Sequence, residues 1–348
     1  KAIAIMQFKL EGQVIKKHPE FQMDDRLLLD KIDYDKKTVR IGDKEYAMSD
    51  VEFPTVDRND PYNLTPEEEQ VMARLRQAFL KCEKLQRHIR FLYTNGSLYK
   101  VHNSNLLYHG CVPVDEKGDF KSANVEGREY KGKALYDVLD NCARKGYYAK
   151  NEPIEMYRAQ DLIWYIWAGP NSPVFGKDKM ATFERYFVAD KELHKETKGY
   201  YYTLRNRADI CDNILTEFGV EPGPHSHIIN GHVPVKTIKG EKPIKADGKL
   251  LVIDGGFSKA YQPETGIAGY TLVYHSHGLQ LVQHEPFQSR QKAIEEGQDI
   301  KSTTFVIEFN SQRMMVKDTD KGKVLVTQIQ DLKKLLVAYR TGFIKEKQ

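Results

Sequence analysis

The sequence lacks the features that mark membrane proteins and nucleic-acid-binding proteins. No apolar run approaches the ~20 residues of a membrane-spanning helix, and no signal-peptide pattern opens the chain. There is no long basic block either, because 53 lysines and arginines are mixed with 49 acidic residues for a net charge of +4. We therefore expect no membrane and no nucleic-acid partner, and a cytoplasmic protein is the default expectation.

Cysteine is scarce, and several catalytic motifs are missing. The four cysteines are too widely spaced for a Cys-x-x-Cys pair: Cys82, Cys111, Cys142 and Cys211. We predict reduced thiols rather than a zinc knuckle or a disulfide framework. The chain has no Gly-x-x-x-x-Gly-Lys-Ser/Thr, no Gly-x-Gly-x-x-Gly after a strand and no Gly-x-Ser-x-Gly. These absences favour metal-assisted chemistry over nucleotide binding or serine hydrolysis.

The sequence does contain enough apolar residues, 40% of 348, for a sizeable core in one large or two ordinary domains. Its strongest local pattern is Thr65-Pro66-Glu67-Glu68, which combines an N-cap threonine, a proline at the first helical position and a capping-box glutamate. Apolar residues then recur every three or four positions up to Ile89. This spacing predicts one helix of about seven turns that packs on the core along its whole length.

Weaker patterns order the rest of the chain. We predict a helix over 2–16, a charged, exposed β-hairpin or meander between 26 and 46, a connector over 50–64, a hairpin turn at Asn95-Gly96 and a polar surface segment over 115–133. Further helices are predicted over 134–142, 155–167, 200–218 and 327–339, and a short strand or helix over 182–188. Strands are predicted over 250–254, 270–274, 279–283 and 303–309.

Two histidines share one local pattern. Residues 227–236 form an apolar run that ends in Gly231-His232 and is followed by Pro234, and the run before His109 is likewise followed by Gly110 and a proline. Such runs predict buried strands with a histidine at the end of each. A lone histidine is more often structural, but a strand end is a fixed position from which imidazole can bind a metal or a phosphate, or act as an acid. Both readings stay open from the residues alone.

The other candidates are weaker. His225 and His227 could chelate or simply be exposed by a Gly-Pro turn, and His275 and His277 flank a hairpin turn and are expected to face solvent. Asp254 follows a predicted strand, where it could position a functional carboxylate or simply form an Asp-Gly turn. Four basic residues could hold a phosphate or pair on the surface: Arg185, Arg205, Arg207 and Lys236. The loop over 167–176 has two prolines, two glycines and a tryptophan that we expect to be buried, a composition typical of functional loops.

Three of these segments together resemble a known family. They are Asn230-Gly231-His232-Val233-Pro234 with the later Leu251-Val252-Ile253-Asp254-Gly255-Gly256, the segment His109-Gly110-Cys111-Val112-Pro113, and the loop segment Trp167-Ala168-Gly169-Pro170-Asn171-Ser172-Pro173. The chain resembles, over essentially its whole length, the class III fructose-1,6-bisphosphatases of low-GC Gram-positive and related bacteria. The resemblance implies an α/β (α+β) fold, the calcineurin-like metallophosphoesterase β-sandwich flanked by helices, with two divalent metals at strand ends.

In that superfamily the metal ligands come in five sequence blocks. The resemblance assigns the last two, a strand-end histidine and a Gly-His block, to His109 and His232. Pro234 stands where many members have a second histidine of the Gly-His-x-His block. The first three blocks, an Asp-x-His, a Gly-Asp-x-x-Asp-Arg-Gly and a Gly-Asn-His, do not occur in this sequence. In the family they precede the position of Lys1, so we expect the fold to be incomplete at its N-terminal side and the chain to be the C-terminal portion of a protein about twice as long.

The resemblance implies hydrolysis of fructose 1,6-bisphosphate to fructose 6-phosphate and phosphate in gluconeogenesis. A dinuclear divalent site is implied for the complete protein; Mn²⁺ suits a mixed imidazole and carboxylate set best, and Fe, Co and Zn stay open. We expect residues 1–64 to form a helix, a β-hairpin and a connector, and 65–348 to form the C-terminal part of the metallophosphoesterase domain. The alternatives are a non-catalytic fragment and a protein or dinucleotide phosphatase of the same superfamily, and homo-oligomerisation is open.

Overall fold

The chain divides into two compact units that do not follow a single cut in the sequence. The computed structural model describes residues 1–297 and 301–345. Unit 1 comprises Lys1–Tyr99 and His109–Leu204, and unit 2 comprises Lys100–Tyr108 and Arg205–Gln348. A short piece of chain thus leaves the first unit, contributes to the second and returns. The division between residues 64 and 65 stays a prediction.

The described residues form a mixed α/β structure, as the sequence predicts. The helices are α1 (Ala2–Lys17), α2 (Pro66–Lys81), α3 (Glu83–Asn95), α4 (Gly132–Tyr148), α5 (Pro153–Ala168), α6 (Thr182–Phe187), α7 (Tyr201–Leu204), α8 (Ala208–Glu217), α9 (Gln262–Thr265), α10 (Arg290–Glu295) and α11 (Asp320–Arg340). The strands are β1 (Ile32–Asp33), β2 (Thr38–Ile41), β3 (Lys44–Ala47), β4 (Tyr99–His102), β5 (Asn105–Tyr108), β6 (Ser122–Val125), β7 (Arg128–Lys131), β8 (His227–Asn230), β9 (Ile244–Lys245), β10 (Leu250–Val252), β11 (Gly269–His275), β12 (Gly278–His284) and β13 (Ser302–Phe309).

Unit 1 is built around α1, α4 and α5 and two small sheets. α1 buries one face, including Ile5, Phe8 and Ile15, in a core that also contains residues of α4, α5 and α6. Lys9, on the same helix, is fully buried, and its Nζ lies 2.7 Å from Glu68 Oε2 at the start of α2. This buried ion pair ties the first turn of α2 to α1, because an unpaired buried ammonium would be strongly unfavourable.

The long helix predicted from Thr65 to Ile89 is wrong in two respects. Its start is correct, since Thr65 Oγ1 accepts from the Glu68 N–H and the Glu68 side chain accepts from the Thr65 N–H. The helix breaks at Cys82, and its apolar stripe is largely exposed, with Phe79 63% accessible. Three-and-four spacing identifies one face of a helix, but it does not say whether that face is covered or where the backbone bends.

Two turn predictions in unit 1 also fail. α3 continues through Asn95, and Gly96 caps it by donating its N–H to the Leu92 carbonyl, so Asn95-Gly96 ends a helix instead of turning a hairpin. The predicted first strand of the region 26–46 is mostly 3₁₀ turns, in which Leu28 and Leu29 are buried. β2 and β3 do form a hairpin, yet Val39 is fully buried, so this region packs on the core and is not an exposed excursion.

Unit 2 contains a β-sandwich. A five-stranded sheet has the order β4-β5-β8-β10-β9, and a three-stranded antiparallel sheet has the order β11-β12-β13. Leu107, Ile229 and Leu251 occupy matching register positions on one face of the larger sheet and form one apolar cluster with Leu279 of the smaller sheet. Side chains alternate along a strand, so the adjacent residues, such as the fully buried Ile228, pack on the opposite face.

Most of the remaining predictions of single elements agree with the structure. The helices predicted over 2–16, 134–142, 155–167 and 327–339 are present and longer than predicted, and residues 182–188 start a short helix. The helix predicted over 200–218 is instead two, α7 and α8. The four C-terminal strands are present, and a hairpin turn joins β11 and β12 at Ser276 and His277 as predicted. The polar segment 115–133 contains the hairpin β6–β7, whose Val125 is buried.

Candidate active site

Three parallel strands of the larger sheet end at the same edge. β8 pairs in parallel with β5 on one side and with β10 on the other. His109 is the residue that follows β5, His232 is the second residue after β8, and Asp254 is the second residue after β10. In sheets with parallel strands, ligands bind beyond the carboxyl ends of the strands. The strand-end position predicted for His232 is therefore observed, and the strand before His109 ends at Tyr108.

His232 has a strained backbone. Its φ is +67°, and the Val233 N–H donates to the Gly231 carbonyl at 2.8 Å, which makes His232 the central residue of a γ-turn with positive φ. A residue with a Cβ adopts this conformation at an energetic cost of about 1–3 kcal/mol, and such residues cluster at functional sites. The half-buried imidazole is thus held by the backbone at the end of a rigid strand.

The loops after β8 and β10 are joined by two backbone hydrogen bonds. The Ile253 N–H donates to the Asn230 carbonyl at 2.9 Å, and the Val235 N–H donates to the Asp254 carbonyl at 2.8 Å. The Asp254 carboxylate in turn accepts the Gly256 N–H at 3.1 Å through Oδ1. The structure therefore brings Asp254 and His232, two candidates from the sequence, into two adjoining loops of unit 2. Asp254 accordingly gives this edge an acidic residue in the loop next to the one that carries His232.

The segment that carries His109 is fixed within unit 1 by the loop over 167–176. His109 is exposed, and Gly110 leaves no room for a Cβ, which would lie 2.6 Å from the Pro173 carbonyl oxygen. The Cys111 N–H donates to that same carbonyl at 2.9 Å, and the buried Tyr136 hydroxyl donates to the Cys111 carbonyl at 2.8 Å. Close packing on both sides of Gly110 explains why a glycine follows this histidine.

The loop over 167–176 is partly buried, as the sequence predicts, with one exception. Ser172 is fully buried, and its Oγ donates to the Ile166 carbonyl and accepts the Val174 N–H. Phe175 is also buried, but Trp167 is 50% accessible, which contradicts the expectation that this tryptophan is buried. Its position at the end of α5 places it on the helix surface. The loop therefore acts as the packing support of the His109 segment.

His225 and His227 are hydrogen-bonded to a carboxylate and do not form a free chelating pair. His227 Nε2 lies 3.1 Å from Glu308 Oε2, and its Nδ1 lies 2.8 Å from the Gly248 carbonyl oxygen. The Gly248 carbonyl oxygen can only accept, so Nδ1 donates to it, and Nε2 faces the Glu308 carboxylate. Burial raises the pKa of Glu308, but hydrogen bonds from His227, Asn310 and His225 outweigh burial and leave that pKa below its usual value. These hydrogen bonds to Glu308 link β8 to β13.

The candidate phosphate-binding cations all have acidic partners. Arg205 lies 3.4 Å from Glu241, Arg185 lies 3.1 Å from Glu196 and Lys236 lies 3.2 Å from Glu264, as nitrogen–oxygen distances. Arg207 likewise pairs with Asp209 two residues later. The pairs of Arg185, Arg207 and Lys236 fit the alternative stated from the sequence, which was pairing on the surface. Arg205 is only 4% accessible, so its side of the pair with Glu241 is buried, which differs from that expectation. His275 and His277 are half-buried beside the hairpin turn and do not face solvent fully as expected.

The described residues offer separate imidazole side chains as possible metal ligands, but they do not form a complete set of ligands around one position. Within 1–297 and 301–345, no group of three or more His, Cys, Asp or Glu side chains is arranged to hold an ion. Strand-end imidazole is nevertheless suitable chemistry for a divalent transition ion. The residues present therefore fit a contribution to a metal centre. The backbone strain at His232 was not predicted from the sequence, and the Gly-His pair followed by proline is the one signal that could have indicated it.

Comparison with known proteins identifies the family. The family model described as "Firmicute fructose-1,6-bisphosphatase" matches residues 1–341. Proteins named "Fructose-1,6-bisphosphatase class 3" are similar: one from Bacteroides fragilis is 67% identical over 347 residues, covering 100% of this chain and 52% of the relative. One from Bacteroides thetaiotaomicron is 66% identical with the same coverage, and one from Clostridium novyi is 57% identical, covering 99% of this chain and 52% of its own length.

The chain spans about half the length of these curated relatives. No solved structure matches it. Among the helices of the described residues, none combines the length and apolar character needed to cross a membrane. The match over nearly all of the sequence, at up to 67% identity, agrees with the resemblance inferred from the Gly-His and loop segments. The chain belongs to the Firmicute-type, class 3 fructose-1,6-bisphosphatase family.

Proposed function

We propose that the full-length protein to which this chain belongs hydrolyses the 1-phosphate of fructose 1,6-bisphosphate, giving fructose 6-phosphate and phosphate, as a cytoplasmic enzyme of gluconeogenesis. The names of the relatives support the substrate, and their length supports a protein about twice as long as this chain. Residues 65–348 would form the C-terminal part of the metallophosphoesterase domain, and residues 1–64 a helix, a hairpin and a connector before it.

This chain's part in the reaction is to hold two imidazoles for a dinuclear metal centre. His232 and His109 would be ligands, and the observation that carries this proposal is the strained γ-turn that fixes His232 beyond the carboxyl end of β8. When bound, divalent ions, with Mn²⁺ as our choice, polarise a phosphoryl oxygen and lower the pKa of the attacking water. The rigid strand end fixes the imidazole before binding, so little entropy is lost when a ligand arrives.

The test is alanine replacement of each histidine in the full-length protein. His232→Ala and His109→Ala should each reduce bound metal and lower kcat roughly 100-fold or more, since even indirect partners of a metal contribute 10–100-fold. His88→Ala, at an exposed position on α3, is the matched control and should leave both unchanged. Far-UV circular dichroism should be the same for all variants. Full activity in His232→Ala would mean that the Gly-His turn is structural.

A substrate panel distinguishes the alternatives. The full-length protein should hydrolyse the sugar bisphosphate and leave phosphopeptides and dinucleoside polyphosphates intact. Activity on either of the latter without activity on the sugar bisphosphate would contradict the proposal. The 348-residue chain, assayed in parallel, should bind fewer ions than the full-length protein and release no phosphate, because it brings only part of the ligand set.

A further inference from the structure

The last helix of the chain carries an apolar seam that the rest of the described structure leaves open. In α11 the apolar residues Leu325, Ile329, Leu332, Leu336 and Tyr339 follow one another at steps of four and three. Their accessible fractions are 47%, 51%, 63%, 48% and 46%, respectively. A 4-3 repeat places these side chains on one stripe of the helix, the pattern with which one helix packs against another. Apolar residues that are scattered singly over a protein surface are common, but they do not form a continuous stripe of this length.

α11 is anchored at its first turn. The Asp320 carboxylate accepts the Asn103 N–H at 2.6 Å, and the Asn103 side-chain oxygen accepts the Asp320 N–H at 2.9 Å. Gly322 is buried against Val316, where a Cβ would lie 1.6 Å from the Val316 carbonyl oxygen. From there the helix extends for 21 residues, about 31 Å at 1.5 Å per residue. An exposed helix of this kind depends on a packing partner for most of its stability.

We propose that, in the full-length protein, this seam is covered by a helix from the part of the protein that lies outside this chain. The proposal rests on the premise of the proposed function that the chain belongs to a protein about twice its length. Relatives have nearly as much sequence outside the matched region as inside it, since the match covers 52% of their length. That supplies a covalently linked partner at high effective concentration, which a second copy of the chain does not have.

The flank of the seam indicates the chemistry of the partner helix. Lys333 and Arg340 lie seven residues apart beside the apolar stripe, on one side of it. A partner helix with leucine or isoleucine at the contact positions and acidic residues opposite these two cations would match both the apolar stripe and the charge. The opposite face of α11 carries Lys334 and Thr327, which are exposed, and this face should stay in solvent.

The experiment measures how well the seam is covered in the full-length protein. Leu332→Cys and the control Lys334→Cys each introduce a thiol, one in the seam and one on the outer face, and maleimide labelling of each is followed by peptide mass spectrometry. Labelling at 332 should be at least ten-fold slower than labelling at 334. Light scattering on the same samples should give the mass of a monomer of the full-length protein. Hydrogen exchange in unsubstituted full-length protein should show slow amides across α11, and Leu332→Glu should make them fast.

Equal labelling at the two positions would overturn the proposal. Slow labelling at 332 that appears only with a dimeric mass and disappears on dilution would also overturn it, because a second copy would then cover the seam. Phosphate release is not part of this measurement. A protected seam in a protein that does not hydrolyse fructose 1,6-bisphosphate would therefore contradict only the proposed function, and an exposed seam in an active enzyme would contradict only this inference.

Discussion

Removing the Glu308 carboxylate should destabilise the β-sandwich beneath the candidate site. Glu308 on β13 and His227 on β8 are only 9% and 6% accessible at their side chains, so solvent screens their 3.1 Å interaction weakly. Truncation by Glu308→Ala leaves the buried Nε2 of His227 without its hydrogen-bond partner, which costs about 1–3 kcal/mol of unfolding free energy. His225, which also reaches Glu308, is 57% accessible, so its share is below about 1 kcal/mol. The midpoint of thermal unfolding should fall by roughly 5 °C.

The pH dependence of the same variant gives a second, independent check. The pKa of Glu308 is lower in the folded protein than its ordinary value. The resulting stabilisation is fully present above the unfolded-state pKa of about 4.3 and is lost as the pH falls through the lower folded-state value. The difference in unfolding free energy between wild type and Glu308→Ala should therefore be constant from pH 7 to about pH 5 and become smaller only in more acidic solution.

The measurement is urea unfolding followed by far-UV circular dichroism, with Glu285→Ala as control. Glu285 lies just after β12 in the same unit and is exposed, so its replacement should change the unfolding free energy by less than about 0.5 kcal/mol. A Glu308→Ala variant as stable as the control would refute the reasoning. A gap that widens in acid would show that the carboxylate is not the stabilised form.

Two further predictions concern unit 1 and the thiols. Glu68→Ala removes the acidic partner of the fully buried Lys9 ammonium and should lower the unfolding free energy by about 3–5 kcal/mol. The added change Lys9→Met should recover most of this loss. Denaturant titration of the single and the double variant measures both effects. Burial raises the pKa of the other three cysteine thiols, so in native protein Ellman's reagent should titrate one fast thiol, the exposed Cys82. A second fast thiol would contradict the buried positions.

The sequence predicts the strands of the sandwich well because they are short apolar runs bounded by turn residues, whereas the sandwich itself was implied only by the family resemblance. Ile228 and Ile229 on β8 and Leu250 and Leu251 on β10 are buried in neighbouring strands. The shortness of these runs and the glycines beside them favour strands over helices. The predicted edge of the sheet followed from the same patterns, since each candidate histidine stands just past the end of a run. These are local properties that the order of residues determines.

The features that the sequence did not predict depend on contacts between distant segments of the chain. Nothing in the stripe from Met72 to Ile89 reveals the break at Cys82 or the exposure of Phe79, because periodicity does not specify a partner surface. Asn95-Gly96 is typical both of a hairpin turn and of a helix end, and here Asn95 is the last residue of α3 and Gly96 is extended with a φ of −84°. The positive φ of His232 likewise lies in a loop that is hydrogen-bonded to the loop after β10, a contact between segments that the local pattern does not specify.

The insertion of residues 100–108 into unit 2 has a consequence for how the protein folds. β5 occupies an interior position between β4 and β8, and Leu106 pairs with Ile228, more than a hundred residues later in the chain. Closing so long a loop carries an entropic cost before the pairing gains any energy, and proteins dominated by such contacts fold slowly. Until β5 arrives, one edge of β8 has no neighbour, which makes it a place where a nascent or truncated chain can pair with the wrong strand. A recombinant piece that begins at Arg205 would retain that open edge permanently, and we expect it to aggregate.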